Sequence, residues 1–213
     1  EQILQGKKVA LVSDAGTPGI SDPGEDLVKL CIENDIKVSA LPGPVAAITG
    51  IILSGFPTGR FCFEGFLSVN KRKRREHLEQ IKDDPRTFIF YEAPHKLLNT
   101  LKDMYIVLGN RKMVLARELT KKFEEVIRCS IEDAIERFEH NTPKGEFVLI
   151  VEGADINQLK VQRQQEWIKL SIMEHIYLYT SQGMNEKEAL KKVAKDRGLS
   201  KREVYALSLK DKG

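Results

Sequence analysis

The stretch VALVSDAGTPGISDPG, at residues 9–24, constrains the fold of this chain more than any other. Its apolar start at 9–12 predicts a buried strand, and the loop that follows holds two Asp, three Gly and two Pro between Asp14 and Gly24. Ligands bind open α/β sheets where the carboxyl end of a strand gives way to a loop, and glycine lets the backbone approach them closely. An ordinary turn uses the same residue types. The density of turn formers here favours a ligand-binding loop.

The composition excludes several classes of protein. With 41% hydrophobic residues in 213, the chain can build a core without disulfides. Cys31, Cys62 and Cys129 lie far apart and lack the spacing of zinc ligands, so we expect free thiols, no metal site and a reducing, cytoplasmic location. No apolar run approaches the ~20 residues of a membrane span, which predicts a protein without a membrane segment.

Strand and helix patterns alternate up to residue 154, which predicts an α/β fold with a mixed sheet. The predicted strands cover 9–12, 38–41, 60–67, 87–91, 112–117, 124–128 and 147–151. The predicted helices cover 25–34, a stretch that starts at 45, 71–82, 95–105 and 131–140. We assign residues 1–44 to the remnant of a first α/β domain and residues 45–154 to a second α/β domain.

The last part of the chain, 155–213, is expected to be a linker followed by a small helical domain. Residues 155–165 are polar and rich in Gln, as linkers are. Amphipathic helices are predicted after them at 167–179, from 184 or 185 onward, and at 201–210. A helix, a glycine-containing turn and a second helix form the helix-turn-helix outline, although a helical bundle without nucleic-acid contacts has the same pattern.

Polar loops adjoin the ends of four predicted strands, at 14–18, 91–95, 117–125 and 144–147, and the PGP break at 42–44 makes a fifth. In α/β enzymes, loops from several strands converge at one edge of the sheet and build the site there. We expect the same convergence here. The five consecutive cations at 71–75 suit phosphate contacts, although a solvated helix face is the more common use of such runs.

Six motifs, in the same order, carry a resemblance to a known family. They are DAGTPGISDPG, LPGPVAAI, RFCFEGFL, TFIFYEAPHKL, ARELTKKFEE and KGEFVLIVEG. The sequence resembles the tetrapyrrole methylase superfamily, and more closely its bacterial branch that methylates the ribose 2′-hydroxyl of a cytidine in small-subunit (16S) ribosomal RNA. The resemblance implies a two-domain α/β fold, whose first domain is incomplete here, and a small all-α, helix-turn-helix-like domain at the carboxyl end.

One departure from the family pattern concerns the amino-terminal end. The family begins with a further strand and a loop of TPIGN type, which this sequence lacks. The resemblance therefore implies that roughly seventy amino-terminal residues are absent, the bulk of a half-domain by usual domain sizes.

The resemblance also implies S-adenosylmethionine as the methyl donor, bound in a cleft between the two α/β domains. The positions that match the donor-binding motifs are small or apolar, which suits a neutral cradle for an adenosyl group. They are Ala15, Gly16, Thr17, Pro18, Ile20, Val45, Ala46, Tyr91, Gly145, Glu146 and Phe147.

A ribose hydroxyl is a poor nucleophile near neutral pH, so a nearby base would assist the transfer. The candidates for the base are Asp14, Glu92, His95 and Glu118. Lys121 or Arg117 would lower the pKa of the hydroxyl or hold the adjacent phosphate. Each of these side chains has an ordinary structural alternative, because charged loop residues often pair with each other and His95 can pack at the start of its helix.

The implied RNA-facing surfaces are cationic and include the helical domain. The residues implied to contact RNA are Lys71, Arg72, Lys73, Arg74, Arg75, Arg117 and Lys122. The implied partner is small-subunit ribosomal RNA or the 30S subunit, and a homodimer is expected from the family. Two other functions stay open, a methylase of a small tetrapyrrole-like substrate and a non-catalytic RNA-binding module.

Overall fold

One mixed sheet organises the α/β part of the chain. Its strands are β1 (Phe61–Phe66), β2 (Thr87–Glu92), β3 (Lys112–Arg117), β4 (Glu125–Ser130) and β5 (Phe147–Val151). Their spatial order is β1-β2-β5-β3-β4. Strand β1 is parallel to β2, while β5 is antiparallel to both of its neighbours, β2 and β3. The carboxyl ends of β1, β2 and β3 therefore meet the start of β5 at one edge, and the predicted mixed α/β fold is confirmed.

The structure is a computed structural model that describes residues 1–210, apart from the side chains at positions 162, 163 and 210. The chain divides into two compact units, with residues 1–153 in the first and the residues from Ala154 onward in the second. Within the described residues, no helix combines the length and the apolar character that a membrane crossing requires.

Helices cover both faces of the sheet in the first unit. One face buries Phe88, Phe90, Leu115 and Leu149 in a single cluster. The helices on that face are α3 (Lys71–Ile81), α4 (Pro94–Leu108) and α5 (Ile131–His140). Ser130 and Asp133 form a capping box that starts α5.

The opposite face of the sheet packs against a single short helix, α2 (Ala46–Ser54), over Ile89, Val114 and Ile150. This helix has small residues such as Ala47 and Gly50 among those it buries. A Cβ atom added at Gly50 would lie only 3.0 Å from Cγ1 of Val148. Glycine at this position therefore lets the helix axis approach β5.

The strands predicted at 9–12 and 38–41 are absent from the structure. Neither run pairs with a strand among the described residues, and Val12 and Leu41 are 82% and 84% exposed. A strand forms only where its backbone groups find a ladder partner, and apolar character alone does not supply one. Helix α1 (Glu25–Glu33) does form as predicted. The division of the first unit into domains at residue 44 stays a prediction.

The basic run at 71–75 is not uniformly exposed. It forms the start of α3, capped by the side chain of Asn70. The helical period turns Arg74 inward, where its Nε donates to Asp103 Oδ2 at 2.8 Å and its side chain is 8% exposed. Arg75 Nε lies 2.6 Å from the other oxygen of Asp103. The interpretation of Arg74 as an RNA-facing cation is therefore wrong, whereas Lys71, Arg72 and Lys73 do face solvent.

The second unit contains the helices α6 (Ile156–Ile168), α7 (Ile172–Thr180), α8 (Glu186–Arg197) and α9 (Lys201–Lys210). The linker predicted at 155–165 is wrong, because these residues belong to α6. Asp155 caps that helix by accepting hydrogen bonds from the N–H groups of Asn157 and Gln158. The single helix predicted at 167–179 is broken, since Ser171 and Glu174 form a capping box that starts α7. Gly198, in the left-handed conformation, ends α8 just before α9.

An aromatic and charged cluster holds α6, α7 and α8 together. The Trp167 ring stacks on the fully buried His175 at a centroid distance of 4.1 Å. Arg197 Nε donates to Nδ1 of His175, and the Tyr179 hydroxyl donates to Asp196. Burial lowers the pKa of His175, the charge of Arg197 lowers it further, and Asp196 opposes the change. We conclude that His175 is neutral in the folded unit near pH 7.

We predict that Asp103→Ala lowers the free energy of unfolding by about 3–5 kcal/mol, because the change leaves the buried Arg74 guanidinium without its carboxylate. The matched control is Arg72→Ala, which removes an exposed pair with Glu76 (3.1 Å) and should cost less than about 0.5 kcal/mol. Chemical denaturation of each variant measures the difference. Equal, small effects of the two changes would contradict a structural role for Asp103.

We also predict that the helical unit loses stability as the pH falls below about 6.5. Because the folded state lowers the pKa of His175, the unfolded chain binds the proton at a higher pH than the folded chain does. The free energy of unfolding therefore falls by up to about 1.4 kcal/mol per pH unit as the pH drops in that range. Fluorescence of Trp167, the single Trp of the sequence, reports on this unit during thermal unfolding at about pH 7.5 and about pH 5.5. His175→Gln should flatten the dependence, and the same change at the exposed His140 should not.

Candidate functional site

The loop at 14–18, called the first loop below, packs against the PGP break at 42–44. The Thr17 N–H donates to the carbonyl oxygen of Pro44 at 3.0 Å, and the Thr17 hydroxyl lies 3.2 Å from the same oxygen. Gly16 has a φ of +86°, and a Cβ atom there would lie 3.0 Å from that oxygen. A Cβ atom at Gly43 would lie 2.7 Å from the Thr17 hydroxyl. The two loops meet so closely that only glycine fits at both positions.

The other residues of the first loop are more open. Asp14, Ala15 and Gly16 are exposed, Ile20 is 52% exposed, and Pro18 is half-buried. The Ser13 hydroxyl donates to the Gly16 carbonyl at 2.9 Å, which tightens the turn around Asp14. The loop therefore presents small side chains and backbone to solvent next to its contact with Pro44.

Tyr91, at the end of β2, joins the sheet to the start of α2. Its hydroxyl oxygen accepts the N–H of Ala47 at 3.0 Å, one of the donors that a helix leaves unpaired at its start. Its ring packs edge-on against Phe63 and Phe66 at centroid distances of 5.0 and 5.6 Å. Burial raises the pKa of Tyr91, the bond from Ala47 opposes that rise, and the charge of Asp22 adds to it. Tyr91 therefore stays neutral and keeps a proton to donate.

A second pair of loops meets at the ends of β3 and β5. The Glu118 N–H donates to the Glu146 carbonyl at 3.0 Å, and the Glu146 N–H donates to Glu118 Oε1 at 2.9 Å. Lys121 Nζ lies 3.1 Å from Glu118 Oε1 and 2.9 Å from Glu146 Oε2. A Cβ atom at Gly145, whose φ is +80°, would lie 2.6 Å from Cγ of Glu118. These four residues form the edge cluster, namely Glu118, Lys121, Gly145 and Glu146.

The charges of the edge cluster reinforce one another. The Glu146 N–H is the main cause that lowers the pKa of Glu118, and Lys121 is the second. The hydrogen bond to Glu146 is the main cause that raises the pKa of Lys121, followed by the one to Glu118. At neutral pH the charged Lys121 ammonium therefore lies between Glu118 and Glu146.

The alternation of side chains along the strands separates the other candidates from this region. Glu92 is 3% exposed on the α4 side, where its two oxygens accept from the Ala93 N–H (2.9 Å) and the Thr100 hydroxyl (2.5 Å). The Phe147 side chain also lies on that side, with its ring 5.7 Å from Phe138 of α5. His95 lines a cleft of about 490 Å³ between α4 and the end of α5. The structure thus does not gather these three side chains with Tyr91 and α2.

The two cationic candidates of the 117–125 loop differ in their surroundings. Arg117 Nη2 lies 3.1 Å from Glu125, which also pairs with Arg137 at 2.9 Å. Nε of Arg117 is buried and has no hydrogen-bond partner within the described part of the chain. Lys122 is exposed, with Nζ 5.6 Å from the ring centre of Phe123.

Sequence reasoning did not single out Glu124, which shapes the same loop. Its carboxylate accepts the Thr120 N–H at 2.6 Å. Thr120 has a φ of +64° and Glu118 a φ of +50°, so two residues other than glycine adopt the left-handed conformation. Such strain persists only where surrounding contacts over-determine it, and it clusters at functional sites. The sequence signal that could have indicated this contact is a carboxylate four residues after Thr120.

We predict that Gly145→Ala destabilises the protein more than the matched change Gly55→Ala. Both glycines have a left-handed φ, of +80° and +77°, so both changes carry a backbone cost of about 1–2 kcal/mol. Nothing lies within 4 Å of a Cβ atom at Gly55, whereas at Gly145 the Glu118 side chain must move. Chemical denaturation measures both costs. Equal losses of stability would show that the Glu118 side chain can move away from position 145 at no cost.

Comparison with known proteins agrees with this architecture. The family model for tetrapyrrole (corrin/porphyrin) methylases matches residues 1–135. The chain is 47% identical over 206 residues to the ribosomal RNA small subunit methyltransferase I of Halalkalibacterium halodurans, covering 96% of this chain and 70% of that protein. It is 45% identical over 205 residues to the protein of the same name from Bacillus subtilis, with 96% and 70% covered.

A solved structure shows the same fold. The crystal structure of the methyltransferase CobJ superposes with a TM-score of 0.56 at 19% identity, over 72% of this chain and 67% of that one. The sequence relatives carry the narrower assignment, since identity of this level over almost the whole chain marks common descent. The chain belongs to the tetrapyrrole methylase family and, within it, to the ribosomal RNA small subunit methyltransferase I group.

Proposed function

We propose that the chain acts as an S-adenosylmethionine-dependent methyltransferase on the ribose 2′-hydroxyl of a cytidine in 16S ribosomal RNA. The identity of 47% with a ribosomal RNA small subunit methyltransferase I carries the proposal. The substrate is then ribosomal RNA, free or in the 30S subunit, and the place of action is the cytoplasm. A homodimer remains our expectation from the family resemblance.

The residues on the α2 side of the sheet fit an adenosyl group. Thr17 and Pro44 bring two backbone segments together at 3.0 Å, at a place where Gly16 and Gly43 permit the close approach. Val45, Ala46 and Tyr91 supply a neutral lining beside them. When bound, S-adenosylmethionine supplies a methyl group on a positively charged sulfur. The residues that would hold it are Ala15, Gly16, Thr17, Pro18, Ile20, Val45, Ala46 and Tyr91, with the backbone at 145–147.

The reaction moves a methyl group from sulfur to the ribose oxygen and releases the hydroxyl proton, so a base close to that oxygen assists it. Glu118 and Asp14 are the candidates that we retain. The recorded hydrogen bonds of the Glu118 side chain engage Oε1, and Asp14 is exposed in the loop that contacts Pro44. Glu92 has both oxygens engaged within the protein, and His95 lies on the α4 side.

We assign Lys121 to the substrate rather than to the proton. Its raised pKa keeps the ammonium charged, and the ammonium lies within 3.1 Å of both Glu118 and Glu146 at the edge of the sheet. A cation there would hold the phosphate next to the reacting ribose, which orients the hydroxyl for transfer. Lys71, Arg72 and Lys73 extend the cationic surface at the start of α3. Such contacts recognise the RNA backbone without reading bases.

We predict that Glu118→Gln or Asp14→Asn lowers turnover by about 10²- to 10⁴-fold, the usual contribution of a general base, while donor affinity stays within about threefold. The assay is transfer of labelled methyl groups to 30S subunits, and calorimetry measures binding of S-adenosylmethionine. The matched control is Glu139→Gln, since Glu139 also pairs with a lysine and has a lowered pKa but lies on α5.

Three outcomes would contradict parts of the proposal. Near-full turnover in both variants would exclude a general base at Glu118 or Asp14. Methylation of a tetrapyrrole but not of ribosomal RNA would overturn the substrate. Binding of RNA without binding of the donor would indicate a non-catalytic RNA-binding module.

A further inference from the structure

Phe123 is an aromatic side chain that the fold leaves in solvent beside the candidate site. It lies in the loop between β3 and β4, and its side chain is 67% exposed. The Lys122 ammonium lies 5.6 Å from its ring centre. A phenyl ring of this exposure gains little from burial in the folded chain. Most of its surface is therefore accessible to a ligand outside the chain.

The loop that carries Phe123 is held in one conformation. Lys121 N–H donates to the Glu118 carbonyl at 3.0 Å, and Glu124 N–H donates to the Lys121 carbonyl at 3.1 Å. The Glu124 carboxylate in turn accepts the Thr120 N–H at 2.6 Å. These bonds bracket Phe123 on both sides and sustain the left-handed conformations of Glu118 and Thr120. The exposure of the ring is thus a property of an ordered loop.

Lys122 differs from the other charged residues around Phe123 because it has no oppositely charged partner among the described residues. Glu118 and Glu146 are paired with Lys121, and Glu125 is paired with Arg117 and Arg137. Lys122 forms no ion pair within residues 1–210 as described, and its ammonium lies beside the Phe123 ring. The exposed Phe123 ring and the Lys122 ammonium therefore lie together in the loop that also carries Lys121 of the edge cluster.

Aromatic rings continue along the same edge of the sheet. Phe66, at the end of β1, is 56% exposed and contacts the Tyr91 ring. In the strand order, β2 and β5 separate β1 from β3, so the carboxyl ends of β1 and β3 lie about three strand spacings apart, or roughly 14 Å. Tyr91, at the end of β2, and the start of β5 lie between those two strand ends.

We propose that Phe123 stacks on an unpaired nucleobase of the RNA strand next to the nucleotide that is methylated, while Lys122 contacts a phosphate of that strand. This inference rests on the proposed function, which places RNA at this edge. Proteins recognise single-stranded RNA by stacking splayed bases on aromatic side chains and by pairing cations with the backbone. The edge of the sheet supplies both elements side by side. A second protein chain would need an apolar surface larger than one ring.

The test compares Phe123→Ala, Phe123→Leu and Phe123→Trp in the full chain. The probe is a fluorescein-labelled single-stranded oligoribonucleotide, with the same strand annealed into a duplex as a comparison, and anisotropy gives the affinity. We expect Phe123→Ala and Phe123→Leu to weaken single-strand binding by roughly 5- to 100-fold and Phe123→Trp to retain it, because stacking needs a π surface. Duplex binding and the affinity for S-adenosylmethionine should not change.

The matched control is Ile106→Ala, which removes an exposed apolar side chain (61% exposed) from α4. Single-strand affinity of Phe123→Leu equal to that of the unchanged chain would overturn the inference. A shift in sedimentation between monomer and dimer without a change in RNA affinity would also overturn it, in favour of an interface between copies. If the unchanged chain methylates no ribosomal RNA and Phe123→Leu still loses single-strand affinity, the proposed function fails and the stacking role stands.

Discussion

The antiparallel insertion of β5 between β2 and β3 is the constraint on which the rest of the α/β unit depends. All five residues of β5 are buried, and each of its two ladders joins it to a strand that runs the other way. This arrangement makes β2 and β3 run in the same direction and brings their ends to the start of β5. The edge cluster exists because Glu118 follows β3 and Glu146 precedes β5. A strand order without β5 in the centre would separate the two carboxylates that hold Lys121.

The two faces of that sheet have different tasks. The face under α3, α4 and α5 is a dry core, and its charged groups are satisfied internally, as Glu92 by Thr100 and Arg74 by Asp103. The face under α2 is covered by one short helix and by loops that expose backbone. A buried carboxylate whose oxygens all accept hydrogen bonds within the protein has a structural role. A partly exposed carboxylate with a charged partner can still act on a ligand. The structure therefore sorts chemically similar side chains by the face to which they belong.

The site could be predicted from sequence only in part, and particular residues show why. The loops at 91–95, 117–125 and 144–147 were expected at one edge, because α/β enzymes gather the loops of several strands at one edge of the sheet. The pairing of Lys121 with both Glu118 and Glu146 could not be predicted from the sequence. The two carboxylates are 28 positions apart in the sequence and meet only because β3 pairs with β5. The exposure of Phe123 was equally invisible, because apolar residues in a loop give no sign of which side they face.

The sequence by itself determined most of the local structure of this protein. Short apolar runs or alternating patterns set the strands, and capping residues such as Ser130 set the start of helices, since both act over a few residues. The motifs also carried the family resemblance. Only the tertiary structure decided which apolar runs become strands, because Val12 and Leu41 lack ladder partners while β2 has one on each side. It also decided which charges remain available to a ligand, because burial and pairing depend on residues that are distant in sequence and close in space.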